Sequence, residues 1–345
     1  MASGLLEYSG LVTKTKAMHG GLLTKDVLIS LSECESVENI IGFLREYASY
    51  APIYQSHEEI AHRAQVEAVI GDSLYSDYGK LYRFAGGKQR KALEILFLRY
   101  EMNVLKECLE HANQGNGGQN LAYLNLFFDR HASFDTAAVT GAKNMTELVQ
   151  ALEGSVYASF LRRMQENTSM TYADYVVQLD ILYYKMAWKR KDKLTEPLMK
   201  KICTQILGTE IDWQNIMWMY RSKRFYGRGQ AEIYADMIPI TYRLKKSEYK
   251  ALLESENLDE FVDILSRSAY FAEKDAVVEL GDEITYHHVM EKTYQRLCQK
   301  YPMSIAPVFQ YLYDKENEID MLTTVLEGVR YRIPSREIQE LVIRS

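Results

Sequence analysis

The chain has 345 residues but only 6 prolines and 19 glycines. A sandwich or barrel needs both residues at many turns, so this scarcity disfavours a mainly β architecture. The 4 cysteines, Cys34, Cys108, Cys203 and Cys298, stand far apart with no C-x-x-C pair. That spacing implies no disulfide framework, and without a recognisable secretory leader the thiols are expected to be reduced and the protein cytoplasmic. Long apolar runs are missing too. The longest, Ile216 to Tyr220, falls far short of the ~20 residues needed to cross a bilayer, so no transmembrane segment is expected. Nor is there an excess of positive charge: 41 basic against 47 acidic residues leave a net charge of −6, which disfavours binding to the phosphates of nucleic acid. What remains is a chain 47% hydrophobic and 26% charged. This is the composition of a folded globular protein, long enough for two or three compact units.

Apolar residues recur at helical spacing along nearly the whole chain, and the sequence reads as all-α. Long patterns over Glu58 to Arg83 and Gln89 to Ala112 meet at Gly86-Gly87, which suits a tight reversal between antiparallel helices. Similar pairs run from Thr171 to Lys191 and Glu196 to Lys223, and from Lys274 to Lys300 and Ser304 to Glu327. The last pair turns at Tyr301-Pro302. Three long hairpins are expected.

A repeat links them. Ser36, Asn144 and Asn257 each precede apolar residues at offsets four, five, seven and eight, the pattern of a capped helix with one buried stripe. Glu147 and Glu260 lie three residues after their caps, close to a capping box. Upstream, Thr24, Ser133 and Ser247 are read as caps of a preceding short helix. Downstream, Glu101, Asp212 and Asp320 place a carboxylate at a similar distance in each copy. The order of markers gives a period of roughly 110 residues.

The segment Glu210 to Gly227, followed by Ile238-Pro239, Tyr242 and Leu244, resembles the repeat of the C subunit of the bacterial and archaeal V-type (A/V-type) rotary ATPases, which is related to the eukaryotic d subunit. The opening Tyr8 to Leu23 helix with Lys14 and Lys16, the Tyr100-Glu101 to Lys106 segment, and Glu316 to Arg330 are similar to that family as well. The resemblance spans nearly the full chain and rests on the order of its segments more than on any single motif. It implies three similar helical lobes, over residues 1–115, 116–228 and 229–345, arranged as a funnel about a pseudo-threefold axis. It further implies a non-catalytic subunit that seats the central-stalk shaft, sits on the proteolipid ring, and couples ATP turnover to H⁺ or Na⁺ transport. Its expected place is peripheral, at the inner face of the cell membrane. The alternative is an unrelated α-helical repeat scaffold that binds proteins in an open groove.

Candidate chemistry is sparse. His57 and His62 are five residues apart, about 140° around a helix, so they do not face one metal. His287 and His288 diverge by about 100°, and His19, His111 and His131 lack ligand spacing. Gly86-Gly87-Lys88-Gln89 fails as a phosphate loop because Tyr82 stands where the first glycine is needed and Gln89 where Ser or Thr would meet magnesium. Gly115 to Gly118 and Gly227 to Gly229 lack a preceding strand. No catalytic, cofactor or metal residue is assigned. Glu101, Asp212 and Asp320 could in principle do acid-base work, but they recur at helical positions in separate lobes and are read as structural. The basic run Arg221, Lys223, Arg224 and Arg228 is the candidate partner contact, set against the plain favourability of cations at a helix C-terminus. The 26 tyrosines are expected mainly at core and half-buried positions, with some suited to interfaces.

Overall fold

The computed structural model of the protein describes residues 2–57, 62–114, 121, 123–167, 170–270 and 283–344. Among them all regular structure is helical and no strand occurs, as the periodicity predicts. The chain opens with α1 (Ala2–His19) and the short helices α2 (Lys25–Leu31), α3 (Val37–Glu46) and α4 (Ala51–Ser56), then a long hairpin, α5 (His62–Phe84) and α6 (Gly87–Gln114). Short helices follow again: α7 (Leu126–His131), α8 (Thr136–Thr140), α9 (Met145–Ala151) and α10 (Val156–Gln165), leading to the hairpin α11 (Tyr172–Asp192) and α12 (Pro197–Arg221). The third series is α13 (Gln230–Ala235), α14 (Lys246–Glu254) and α15 (Leu258–Ser266), the hairpin α16 (Glu283–Lys300) and α17 (Ala306–Arg330), and finally α18 (Ser335–Arg344). Short helices followed by a long pair thus occur three times in order along the chain.

Local chemistry explains the boundaries. Between α5 and α6 the Gly86 N–H donates to Gln89 Oε1 at 2.6 Å, and Gln89 Nε2 donates to the Glu7 carbonyl at 3.0 Å. The glycine-rich stretch that fails as a phosphate loop is a helix reversal closed by a buried glutamine. Thr171 and Asp174 form a reciprocal capping box at the start of α11. Asn144 and Asn257 accept the N–H groups of Glu147 and Glu260 at 3.0 and 2.9 Å, while Ser36 occupies the cap position of α3 without a side-chain bond. Thr24 caps α2 through Val27 N–H. The other two upstream caps differ from the sequence reading. Asp135, not Ser133, caps α8, and α14 starts at Lys246, so that Ser247 lies inside it. There Glu248 reaches back to the Lys245 N–H at 2.7 Å, which moves the helix start ahead of the serine. The expected helix starts at Glu58 and Lys274, and the glycine-containing stretch Gly115 to Gly118, lie outside the described residues.

The chain divides into two compact units. The first comprises Met1–Arg90, His111–Ser159 and Cys298–Ser345, and the second Lys91–Glu110 and Phe160–Leu297. In the first, α17 and α18 share a core with α2 to α5 in which Leu28, Ile40, Leu44, Val69, Leu322 and Val342 are fully buried. Gly328 permits the approach of α18, since a Cβ there would lie 2.6 Å from the Ile338 side chain. In the second unit, the C-terminal half of α12 packs against α13, α14 and α15 through Trp213, Ile216, Leu252, Phe261 and Leu265.

Candidate functional site

Buried carboxylates organise both units. In the second, Asp212 on α12 is completely buried. Its Oδ1 accepts the Tyr242 N–H at 3.1 Å and the Tyr249 hydroxyl at 2.7 Å. Its Oδ2 accepts the N–H groups of Arg243 and Leu244 at 2.7 and 3.1 Å and the Tyr270 hydroxyl at 2.7 Å. One side chain thereby fixes the stretch leading into α14, a residue of α14 itself, and Tyr270 in the segment beyond the end of α15. Charge-assisted bonds of this kind are roughly twice as strong as neutral ones. Burial, reinforced by the Asp212 charge, pushes both phenols well above the ordinary tyrosine range.

Glu318 on α17 does the same work in the first unit. Its Oε2 accepts the Leu23 N–H at 2.5 Å, and its Oε1 accepts the Tyr50 hydroxyl at 2.6 Å and a bond from the buried ammonium of Lys315. Lys315 Nζ also donates to the Tyr50 hydroxyl at 3.0 Å. Leu23 and Leu244 precede the second caps Ser36 and Asn257 by the same number of residues, so the two carboxylates grip corresponding points. The sequence reading placed the third carboxylate at Asp320, but Asp320 is exposed and Glu318 holds the buried place. Glu101 is buried as well.

Tyrosine and carboxylate meet elsewhere too. Glu210 accepts Arg99 at 2.6 Å and the hydroxyls of Tyr184 and Tyr286 at 3.2 and 3.4 Å. Asp77 accepts Tyr311 at 2.5 Å. With both oxygens of Asp212 and Glu318 occupied by donors, neither is presented to a substrate, and both act as anchors. His57 Nε2 lies 3.0 Å from Asp72 Oδ2, and His131 stacks on Phe127 with ring centroids 4.0 Å apart. Among the described residues no group of His, Cys, Asp and Glu could hold a metal ion.

The candidate contact run lies at the end of α12, in the second unit. The helix continues into a π-helical turn, Ser222–Tyr226, that ends at Gly227, whose φ of 56° is left-handed and suits glycine. The four cations have different surroundings. Lys223 Nζ donates to the carbonyls of Leu253 and Ser255, both at 2.8 Å, and so satisfies the C-terminal end of α14. Burial pulls its ammonium below the ordinary lysine value, opposed by the charge of Glu260. Arg228 pairs with Asp236 at 2.7 Å and lies 5.5 Å from the centre of the Trp218 ring. Arg224 is exposed, bonds the Tyr220 hydroxyl at 3.0 Å and lies 5.0 Å from the Phe225 ring centre. Arg221 is half-buried. Beside them Phe225, Tyr226 and Tyr234 are 63, 62 and 70% exposed. Sequence reasoning named the cations and missed these aromatics, although Phe225-Tyr226 sits inside the same run. Arginine and exposed aromatics together are the composition enriched at protein interfaces.

The sequence profile of the ATP synthase (C/AC39) subunit family matches residues 11–341. Among curated proteins, the C subunit of the A-type ATP synthase of Methanosphaera stadtmanae is 23% identical over 96% of this chain and 86% of its own length. That of Methanocaldococcus jannaschii is 20% identical over 99% of this chain and 88% of its own. That of Pyrococcus abyssi is 24% identical over 97% and 90%.

Proposed function

We propose a function from one premise, that this chain belongs to the ATP synthase (C/AC39) subunit family. It is a subunit of an A/V-type ATPase, and no helix among its described residues is long and apolar enough to cross a membrane. Its role in our reading is non-catalytic: it joins the shaft of the central stalk to the membrane proteolipid ring, turns with them, and couples ATP turnover to transport of H⁺ or Na⁺. It works peripherally at the inner face of the membrane. The three lobes over 1–115, 116–228 and 229–345 close about a pseudo-threefold axis to form the seat for the shaft, and the exposed Arg224, Phe225 and Tyr226, with Arg221, Lys223 and Arg228 supporting them, form one contact with a neighbouring protein of the assembly.

The observation that carries this reading is the Glu318 anchor. A carboxylate near the end of the chain binds Leu23 and Tyr50 near its start, and α17 packs on α1, α2, α3 and α5. An open repeat scaffold leaves its first and last helices apart, so this contact supports the closed arrangement over that alternative. Physical magnitudes support a broad interface. Moving one charge through 100 mV is worth about 2.3 kcal/mol, whereas an exposed ion pair contributes about 0 to 1 kcal/mol. A coupler must therefore hold its partners through wide surfaces. Co-purification tests the assignment: the tagged chain is expected to bring down both the central-stalk shaft and the proteolipid ring, and recovery of neither from an otherwise intact complex defeats it.

A further inference from the structure

The second unit contains a cleft of about 700 Å³ between α11, the 234–241 stretch and α14. Its volume lies within the range of small-molecule sites. The floor is apolar, built from the buried side chains of Ile181 and Ile238 and the ring of Tyr249, with Met237 and Leu253 half-buried beside them. The polar atoms behind that floor are already used: Asn215 exchanges both its amide bonds with the backbone of Ile238, at 3.0 and 2.8 Å, and the Tyr249 hydroxyl is held by Asp212. The floor therefore presents mainly carbon, and Gln178 and Thr241 add neutral polar side chains to the lining.

The rim has the opposite character. Lys185, Lys246 and Lys250 line it and are exposed, and no lining residue is acidic. Lys250 is 3.7 Å from Glu254, an exposed pair of little strength, while Lys185 and Lys246 make no salt bridge among the described residues. Tyr234, 70% exposed, adds an aromatic edge. In a chain of net charge −6, a cleft with an apolar floor whose charged lining residues are all lysines is complementary to an anion that carries an apolar tail. We propose that it binds a single-chain anionic amphiphile, an alkyl chain with a carboxylate or phosphate head, whose tail lies over Ile181, Ile238 and Tyr249 and whose head meets Lys185, Lys246 and Lys250. Burial of the tail's methylenes supplies the affinity, and the lysines select the sign of the head. The site does not depend on the rotary role.

Calorimetric titration of the full chain below the critical micelle concentration tests this, with dodecanoate, dodecyl phosphate, dodecyl maltoside and inorganic phosphate as probes. Saturable binding of one dodecanoate or one dodecyl phosphate per chain is expected, with the neutral maltoside and inorganic phosphate each at least about tenfold weaker, as loss of either the charged contacts or the tail requires. Preference between the two anions assigns the head group, and either preference supports the proposal. Ala235→Trp, which places an indole in the cleft from an exposed position, and the double variant K185E/K246E are each expected to weaken binding at least about tenfold. The charge variant, whose residues are exposed, leaves the ligand-free melting temperature unchanged and carries the test if the tryptophan disturbs folding. Equal affinity for the neutral maltoside, binding indifferent to K185E/K246E, or saturable binding of an acidic amphipathic peptide but of neither anionic amphiphile overturns the proposal.

Discussion

At the scale of single residues, stability rests on carboxylates buried among donors. Asp212 is the clearest case because it receives three backbone N–H groups and two phenols. Asp212→Asn keeps the shape but removes the charge and turns an NH₂ toward donors, and should cost about 2 to 4 kcal/mol. Urea unfolding checks this, and a loss below about 1 kcal/mol would contradict the anchoring role. The tyrosines and thiols add a pH dependence. Burial holds the thiols of Cys108 and Cys203 up to about 12, and it raises Tyr249, Tyr270 and Tyr311 as well. In the unfolded chain these groups ionise near about 8.5 for cysteine and about 10 for tyrosine. The folded state binds their protons more tightly, so their stabilisation is complete below those values and is lost progressively as pH rises from them through the raised values of the folded state. Unfolding midpoints measured from pH 7 to 11 should fall steadily above about pH 9, and a flat profile contradicts the burial of these groups.

At the scale of elements, most of the helices were legible because their apolar stripes and caps are local. Asn144, Asn257, Thr24 and the Gly86 reversal need only their sequence neighbours to be recognised. The third carboxylate was not legible for the same reason. Glu316, Glu318 and Asp320 are all acidic residues on one helix, and only the face that packs on α2 and α3 distinguishes them. Glu318 shares the buried side with Lys315, Leu322 and Val325, whereas Asp320 is turned about 200° away. Lys223 was equally opaque, since the carbonyls it serves lie thirty or more residues on. Two glycines make opposite predictions about helix packing. A Cβ at Gly208 would lie 2.3 Å from the ring of Tyr242, the residue whose N–H is held by Asp212, so Gly208→Ala should destabilise by about 1 to 3 kcal/mol. Gly42, exposed within α3 with no neighbour inside 4 Å, should tolerate alanine with a gain of about 0.5 to 1 kcal/mol. Thermal unfolding of the two variants is expected to move in opposite directions, and a stabilised Gly208→Ala contradicts the close approach of Tyr242.

At the scale of the molecule, the repeat found in the sequence and the anchors found in the structure meet at the same places. Sequence order supplied three series of short helices and long hairpins. It did not reveal that the carboxylate of one long helix grips the entrance to the next series of short helices, or that the last grips the first, because such pairings join residues as far apart as Leu23 and Glu318. If that closure makes the chain a stiff coupler, Tyr50→Phe combined with Glu318→Gln should lower the unfolding midpoint and reduce ion pumping more than ATP hydrolysis in the assembled complex. Equal loss of both activities would place the defect elsewhere. The most direct test is to strip this subunit from the membrane complex, add it back, and measure ATP hydrolysis and ATP-driven ion transport side by side. The account predicts that the stripped complex hydrolyses ATP without transport and that restoring the chain restores transport, whereas full transport in its absence would contradict the coupling role.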